Sequence, residues 1–278
     1  MHKIRFETLT PAELLQAVRQ GLVYQPVGSM EWHGPHMGMG MDTANAHAVA
    51  LRAARETGGV VLPPLYIGTE TPRSPQALRK LGFAGSEQIV GMDFPANSVQ
   101  SFYWPPALFE AIVRQQTQML LDMGFSQVVW LNGHGADVQL EILQRVCGEM
   151  SRASGKCVMT ILALFEGCGA GLGHAGLAET AIYLHLCPEA VQLDRLPPKP
   201  EKLYNTRFGI VDSATFDTGP NEDYSVRYDP RDASPELGRQ IVDYTVARCV
   251  RLVNEARASL SCEKPAPQAL CDRNAEDR

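Results

Sequence analysis

Hydrophobic residues recur at helical spacing in some segments of the chain and form short continuous runs in others. Helical spacing, often closed by a glycine, predicts helices after Thr10 and over residues 42–57, 107–124, 138–150 and 235–260. Apolar runs bounded by turn residues predict buried strands in LVYQPVGSM, FSQVVWLN and VMTILALF, with a further short strand near the start. Another strand, GGVVLPPLYIG, is interrupted by two prolines.

The order of these elements indicates the fold class. Strands alternate with helices at short spacing, which is typical of βαβ units, so we expect an α/β fold with a mainly parallel sheet. Residues 69–106 and 196–235 are irregular and rich in Pro, and long irregular segments of compact domains are usually functional loops. The 278 residues fit one domain over 1–260, and we expect 261–278 to form a flexible tail.

The composition of the chain excludes several classes of protein. The chain is 45% hydrophobic and 20% charged, with a formal net charge of −6, which is ordinary for a globular protein. Scattered Lys and Arg exclude a nucleic-acid surface, and no apolar run reaches the roughly 18 residues of a membrane span. Seven cysteines without a CxxC spacing indicate free thiols. The first residues lack a leader pattern, so we expect a cytoplasmic location.

A glycine-rich segment after the predicted strand LVYQPVGSM carries potential metal ligands. Residues two apart in an extended chain point to the same side, so Glu31 and His33 should converge. Glycines let the backbone return Asp42 beside them, where its two oxygens can bridge two ions, and these ligand types suit Zn²⁺ or Mn²⁺. By itself the segment also fits a polar surface turn. His36 is a candidate outer partner, whereas His47 is expected on a helix face without a ligand role.

A second candidate segment, Asn132-Gly133-His134-Gly135, follows the apolar strand FSQVVWLN. Ligands of open α/β sheets bind beyond the carboxyl ends of the strands. His134 is therefore well placed to coordinate a metal, and Asn132 to orient it or the substrate. The alternative is a tight turn in which the histidine is incidental.

The third candidate segment is GHAGLAET, just before the apolar run AIYLHL. Glu179 falls in the first turn of a predicted helix, where the helix dipole alone would favour a carboxylate. Next to a metal site it becomes the missing carboxylate for a second ion. His174, in a glycine-rich loop, then becomes a general acid that protonates a leaving group.

Together, these three segments closely resemble the creatininase family of amidohydrolases. That family carries E-Q-H-G-P-H-L-P-L-G-T-D, then N-G-H-G-G-N, then H-A-G-x-x-E-T, and the chain has EWHGPHMGMGMD, NGHGADVQ and HAGLAET in the same order. The resemblance extends over about residues 20–190 and implies a three-layer α/β/α sandwich that often assembles as a homohexamer.

The resemblance also implies a site with two divalent ions, Zn or Mn first and Mg or Fe as alternatives. One ion would be held by Glu31, Asp42 and His134, and the other by His33, Asp42 and a glutamate. A water bridging the ions would attack a carbonyl carbon, and His174 would assist proton transfer.

The chain departs from the creatinine-hydrolysing members at Ala136, where they carry a glutamate. Other family members take this ligand from HAGxxET, which points to Glu179. Trp32 and Asp137 replace the usual Gln and Asn of the first two motifs. These differences predict a substrate other than creatinine.

Three functions remain open at this stage. The first is hydrolysis of a C–N bond in a small cyclic or formylated amide. The second is hydrolysis of a C–C bond in a cyclic polyol ketone of the inosose type. The third is a catalytically silent, metal-binding partner subunit. Phe102, Tyr103 and Trp104 are either part of the wall of the substrate site or ordinary packing aromatics.

Overall fold

The computed structural model describes residues 3–80, 83–95, 97–164, 173–201, 203 and 229–262. The strands are β1 Leu22–Gly28, β2 Val60–Val61, β3 Leu65–Tyr66, β4 Gln127–Asn132 and β5 Cys157–Leu162. The α-helices in these ranges are α1 Pro11–Gln20, α2 Met41–Thr57, α3 Pro75–Lys80, α4 Pro106–Met123, α5 Asp137–Ser154, α6 Leu177–Leu186 and α7 Pro235–Cys262.

The described strands form one parallel sheet in the order β2-β1-β4-β5, and β3 pairs with the carboxyl end of β1. Strand β1 pairs with β4 from Leu22 opposite Gln127 to Val27 opposite Asn132. Strand β4 pairs on its other side with β5, from Gln127 opposite Cys157 to Asn132 opposite Leu162. The parallel sheet expected from the βαβ order is confirmed.

Helices cover both faces of the sheet, and the alternation of side chains along β4 shows how. Val129 and Leu131 belong to the hydrophobic core that includes residues of α2, α6 and α7. Val128 and Trp130 belong to the core on the other face, with residues of α4 and α5. Both faces of a parallel sheet are usually covered in this way, and the predicted three-layer α/β/α fold is confirmed.

One sequence prediction near the amino terminus is wrong. The expected first strand is a short 3-10 helix, Phe6–Thr8, because Thr8 bonds the carbonyl of Arg5 through both its hydroxyl and its N–H. Arg5 makes only one isolated bridge, to Val61. The predicted interruption of GGVVLPPLYIG is confirmed: the segment forms two strands, β2 and β3, since prolines provide no N–H for a ladder between them.

The irregular segment 69–106 contains the short helix α3, which the sequence analysis did not predict. Leu78 of α3 packs in a small separate core with Trp32, Ile89, Met92 and Phe94. Because Trp32 lies between Glu31 and His33, this core joins the irregular segment to the candidate ligands.

Several predictions reach residues outside the described ranges. Strand β5 ends at Leu162, before the predicted end at residue 165, which is not described. Most of the irregular segment 196–235 and residues 263–278 of the expected tail also fall outside. Helix α7 extends to Cys262, so a domain boundary at 260 remains a proposal.

In the described part of the chain, no helix combines the length and apolarity needed to cross a bilayer. Cys147, Cys157, Cys187 and Cys249 are free thiols, as the spacing of the cysteines predicted. Cys147 and Cys249 are buried, so they act as small apolar core residues.

Candidate metal centre

The carboxyl edge of the sheet brings the candidate ligands together. Glu31 and His33 follow the end of β1, and His134 follows the end of β4. Asp42 lies in the first turn of α2, above the same edge. All four side chains are buried. Neighbouring parallel strands thus place residues about 100 positions apart in sequence in one cluster.

Asp42 lies between the two imidazoles. Its Oδ1 is 3.2 Å from His33 Nε2, and its Oδ2 is 3.0 Å from His134 Nδ1. The Oε2 atom of Glu31 lies 3.4 Å from His134 Nδ1 and 4.0 Å from His33 Nε2. A carboxylate that presents one oxygen to each side has the arrangement of a ligand shared by two ions.

Glu179 joins the cluster from the first turn of α6. Its Oε2 is 3.7 Å from His33 Nε2 and accepts the N–H of Ala175 at 2.6 Å. Two groups of possible ligands, each with donor atoms within 4.8 Å of one another, share Asp42. We call them the Glu31 group, made of Glu31, Asp42 and His134, and the Glu179 group, made of His33, Asp42 and Glu179.

The hydrogen bonds of His33 prepare one ring nitrogen as a ligand. Its Nδ1 lies 2.9 Å from the carbonyl oxygen of Glu31, which can only accept, so Nδ1 donates there and Nε2 is the nitrogen left to face the carboxylates. Within the described part of the chain, the buried Nε2 pairs with Asp42 Oδ1 at 3.2 Å but makes no well-aligned hydrogen bond. Such an atom is costly to bury, and a divalent ion would satisfy it. The carboxylate and imidazole donors therefore fit Zn²⁺ or Mn²⁺.

The electrostatics of the cluster also favour a cation. Glu31, Asp42 and Glu179 are at most 8% exposed, and their ion pairs in the described ranges all go to imidazoles. Burial lowers the pKa of His33, but the nearby carboxylates outweigh burial and raise it to about 10. Burial raises the pKa of Glu179 to about 7. Three buried carboxylates thus need positive charge, which either protons or divalent ions can supply.

His174 lies beside the two groups of ligands. Its Nε2 is 2.6 Å from the carbonyl oxygen of Trp32, so this nitrogen donates, and its Nδ1 is 3.6 Å from Glu31 Oε2. The His174 ring lies 4.4 Å from that of His33, centroid to centroid. Burial lowers the pKa of His174 to about 4. At neutral pH the ring is therefore neutral, with a lone pair on Nδ1 that faces the cluster.

The turn after β4 fixes His134 through Asn132 and Gly133. The amide of Asn132 donates to the His134 carbonyl at 2.7 Å and accepts the His134 N–H at 3.1 Å. A Cβ atom on Gly133 would lie 1.9 Å from the backbone oxygen of Asp42. Only glycine permits this approach, which brings the turn against the start of α2.

The remaining sequence candidates have other surroundings. His36 contacts Thr180 through Nε2 at 3.0 Å, and thus packs beside the residue that follows Glu179. His47 is half-buried on α2 and is in none of the possible ligand groups of the described residues. Ala136 and Glu179 both line the cavity, so Ala136 presents only a methyl group to it.

Segment 69–106 supplies residues that reach the site, and Tyr103 is the one among them that the sequence analysis had named. The Tyr103 hydroxyl donates a short hydrogen bond to Glu31 Oε1. Glu70 and Arg73 line a cavity of about 330 Å³ together with Glu31, Asp42, His134, His174 and Glu179. The aromatic cluster had marked Tyr103 as a candidate, whereas no local motif marks Glu70 and Arg73. For these two residues the only signal was the length of the irregular segment, which predicted a functional loop.

Comparison with known proteins gives the family. The model of the family described as "Creatininase: Creatinine amidohydrolase" matches residues 7–253. A curated mycofactocin precursor peptide peptidase of Mycobacterium tuberculosis is 31% identical over 82% of each chain. A creatinine amidohydrolase of Pseudomonas putida is 26% identical over 63% of this chain and 68% of its own. A 3-dehydro-scyllo-inosose hydrolase of Thermotoga maritima is 24% identical over 50% of this chain and 38% of its own.

Solved structures agree on the fold. A mutant creatininase described as the Zn-Zn type has a TM-score of 0.63 at 23% identity and covers 92% of this chain and 98% of its own. A structure described as "Creatininase Mn" has the same TM-score and identity and covers 91% of this chain and 98% of its own. The family match over most of the chain, the 31% identity to a curated member and the shared fold show that this chain belongs to the creatininase family of metal-dependent amidohydrolases.

Proposed function

We propose that the chain is a two-metal hydrolase that cleaves the C–N bond of an amide. The observation that carries this proposal is that the two groups of buried donors share Asp42. The Glu31 group would hold one divalent ion and the Glu179 group the other, with Zn²⁺ or Mn²⁺ suited to the donors. When bound, the ions supply Lewis acidity for a carbonyl and lower the pKa of water.

His174 would move the proton in this reaction. Its Nε2–H is held by the carbonyl of Trp32, which fixes the ring and leaves the lone pair of Nδ1 facing the cluster. A neutral imidazole accepts a proton first, so Nδ1 would take it from the attacking water and pass it to the leaving nitrogen. The role is therefore that of a base and then an acid.

The substrate class proposed first is a small cyclic or formylated amide. The cavity of about 330 Å³ lies at the small end of the range for ligand pockets, roughly 300–1,000 Å³. Its walls combine the ligand cluster with Glu70, Arg73, Met92 and Leu164, so polar and apolar parts of a small ring both find contacts. The methyl group of Ala136 also leaves more room than the glutamate of creatinine-hydrolysing enzymes.

A peptide amide is the second candidate, because the peptide peptidase of Mycobacterium tuberculosis is 31% identical over 82% of this chain. One feature of the cavity suits such a substrate. Arg73 donates to the carbonyl of Gly91 at 2.6 Å and lies over the Phe94 ring at 5.8 Å. Its guanidinium is thus fixed in the wall, and a guanidinium binds carboxylates well.

C–C hydrolysis of an inosose-type ketone remains an alternative with less support, since the match to the inosose hydrolase covers only 38% of that protein. The silent partner subunit is the least supported of these candidates. All five predicted ligands and His174 are close together, which is the set that the proposed hydrolysis uses.

The test is an assay of zinc-loaded or manganese-loaded protein against cyclic amides, N-formyl amides, short peptides and inososes. We expect release of an amine or ammonia that stops after chelation and returns with the ion. Peptides with a free carboxyl terminus should be compared with the same peptides carrying an amidated terminus. If Arg73 binds the carboxylate, Arg73→Gln should reduce turnover of the free form and leave that of the amidated form unchanged. Turnover of inososes alone would favour the C–C reaction. Metal binding without turnover of any substrate would favour the silent subunit.

Two further proposals concern the oligomeric state and the cellular location of the protein. The family resemblance implies a homohexamer, and the sequence features favour a cytoplasmic location. Light scattering after size-exclusion chromatography would measure the assembly, and fractionation of the source cells would measure the location.

A further inference from the structure

We propose that Tyr103 is a positioning residue that makes Glu31 a ligand through one oxygen only. This inference rests on the proposed metal site, but it assigns a function to a residue that lies outside the ligand set. Tyr103 is 72 positions from Glu31 in sequence, and it reaches the cluster from the irregular segment 69–106.

The two carboxylate oxygens of Glu31 have different neighbours. Oε1 accepts the hydroxyl of Tyr103. Oε2 faces the cluster, with His134 Nδ1 at 3.4 Å and His174 Nδ1 at 3.6 Å. A hydroxyl that donates to a carboxylate forms a strong, charge-assisted bond. Rotation of Glu31 to present both oxygens to one ion would break this bond.

The surroundings of Tyr103 direct its proton to Glu31. The N–H of Met92 donates to the phenolic oxygen at 3.2 Å. Since Met92 N–H cannot accept, the hydroxyl proton points to another group, and that acceptor is Glu31 Oε1. Gly91 packs directly on the ring, because a Cβ atom there would lie 2.6 Å from the Tyr103 hydroxyl oxygen. Gly91 also has φ of 53°, a conformation that favours glycine.

The backbone around Tyr103 is tied to the segment that carries Glu31. The N–H of Phe102 donates to the carbonyl of Met30 at 2.8 Å, and the N–H of Trp32 donates to the Ser101 hydroxyl at 3.0 Å. Tyr103 also forms a parallel bridge with Gly68. The donor and its carboxylate therefore belong to one connected unit, as expected of a group that orients a ligand.

Tyr103→Phe tests this role, and the chain offers a matched control. Tyr24 is a buried tyrosine, and its hydroxyl bonds that of Thr57 at 2.8 Å. Thr57 is the last residue of α2, whereas Asp42 is near its start, which puts them about 22 Å apart along the helix. Tyr24→Phe removes the same atom and a buried hydrogen bond without contact to the cluster.

The measurement is competition of each purified variant with a chelator for Zn²⁺, which gives the two dissociation constants. Tyr103→Phe should weaken one ion by about 10–100-fold, the usual effect of losing a partner of a metal ligand, and leave the other unchanged. Tyr24→Phe should change neither constant, although both variants should melt at slightly lower temperature.

A second background shows whether the effect passes through Glu31. In Glu31→Ala, adding Tyr103→Phe should change zinc affinity no further, because the acceptor is gone. Three outcomes would overturn the role of Tyr103: an equal loss of zinc affinity in both backgrounds, equal weakening of both ions, or no weakening of either ion. A wild-type chain that binds no zinc would instead contradict the metal site itself.

A crystal structure of the zinc-loaded wild-type protein gives an independent readout should Tyr103→Phe fail to fold. The positioning role predicts one Glu31 oxygen on zinc and the other on the Tyr103 hydroxyl. Glu31 bound through both oxygens would overturn it.

Discussion

Two clusters of charged side chains in this protein differ in how their charges are balanced. On the surface, Arg114 and Arg145 bridge Glu110 and Glu149 between α4 and α5, with N–O distances of 2.6 to 3.8 Å. Two cations face two anions, and the side chains are between 27% and 47% exposed.

The buried cluster at the carboxyl edge of the sheet is not balanced in this way. Three carboxylates face imidazoles, and two imidazole nitrogens of the cluster, His33 Nε2 and His134 Nε2, lack a hydrogen bond among the described residues. Water cannot screen these charges as it does at the surface. The surface network is complete in itself, whereas the buried cluster is complete only with added positive charge. That difference distinguishes a candidate site from a structural ion-pair network.

The largest effect on the buried cluster is expected from Asp42→Ala. Asp42 belongs to both ligand groups, so its loss should remove both ions and reduce hydrolysis to background. Elemental analysis after dialysis against zinc and an activity assay would check this outcome. Retention of two ions would show that Asp42 is not shared.

His174→Ala should separate proton transfer from metal binding. His174 belongs to neither ligand group that shares Asp42, so two ions should remain. Turnover should fall about 10²–10⁴-fold, the usual contribution of an acid–base group. Rates and metal content measured on the same sample check both parts, and a loss of metal would reassign His174 as a ligand.

Gly133→Ala should disturb the scaffold of the buried cluster. The added methyl group would lie 1.9 Å from the backbone oxygen of Asp42, and such overpacking costs about 1–3 kcal/mol of unfolding free energy. Gly135→Ala is the matched control, because a Cβ atom there meets nothing within 4 Å. Denaturant titration of both variants measures the difference, and equal stability would contradict the close approach.

The smallest effect is expected in the surface cluster. Arg114→Ala removes ion pairs to Glu110 and Glu149, but exposed pairs contribute little. The melting temperature should fall less than in Gly133→Ala, and metal content should stay at the wild-type value. A change in metal content would mean that the two clusters are coupled.

Local patterns predicted those parts of the fold that depend on residues close in sequence. Helices such as 42–57, with its stop at Gly58, and the apolar strand ending at Asn132 were predicted because periodicity and turn residues are local signals. The split of one strand at Pro63 and Pro64 into β2 and β3 was only partly predicted, because it depends on pairing with β1.

The residues of the candidate site that lie within sequence motifs could be predicted. Glu31 and His33 converge because they lie two apart, and the family spacing brought in Asp42, His134 and Glu179. The contact of Tyr103 with Glu31 could not be predicted, because it depends on the path of segment 69–106, which no periodicity describes.

The number of divalent ions bound per chain tests the central claim most directly. Elemental analysis of protein dialysed against Zn²⁺ or Mn²⁺ should give two ions for the wild-type chain. It should give one for Glu179→Ala, because Glu179 belongs to only one of the two groups that share Asp42. A wild-type chain without a bound ion, or a Glu179→Ala chain that keeps two, would contradict the two-metal site.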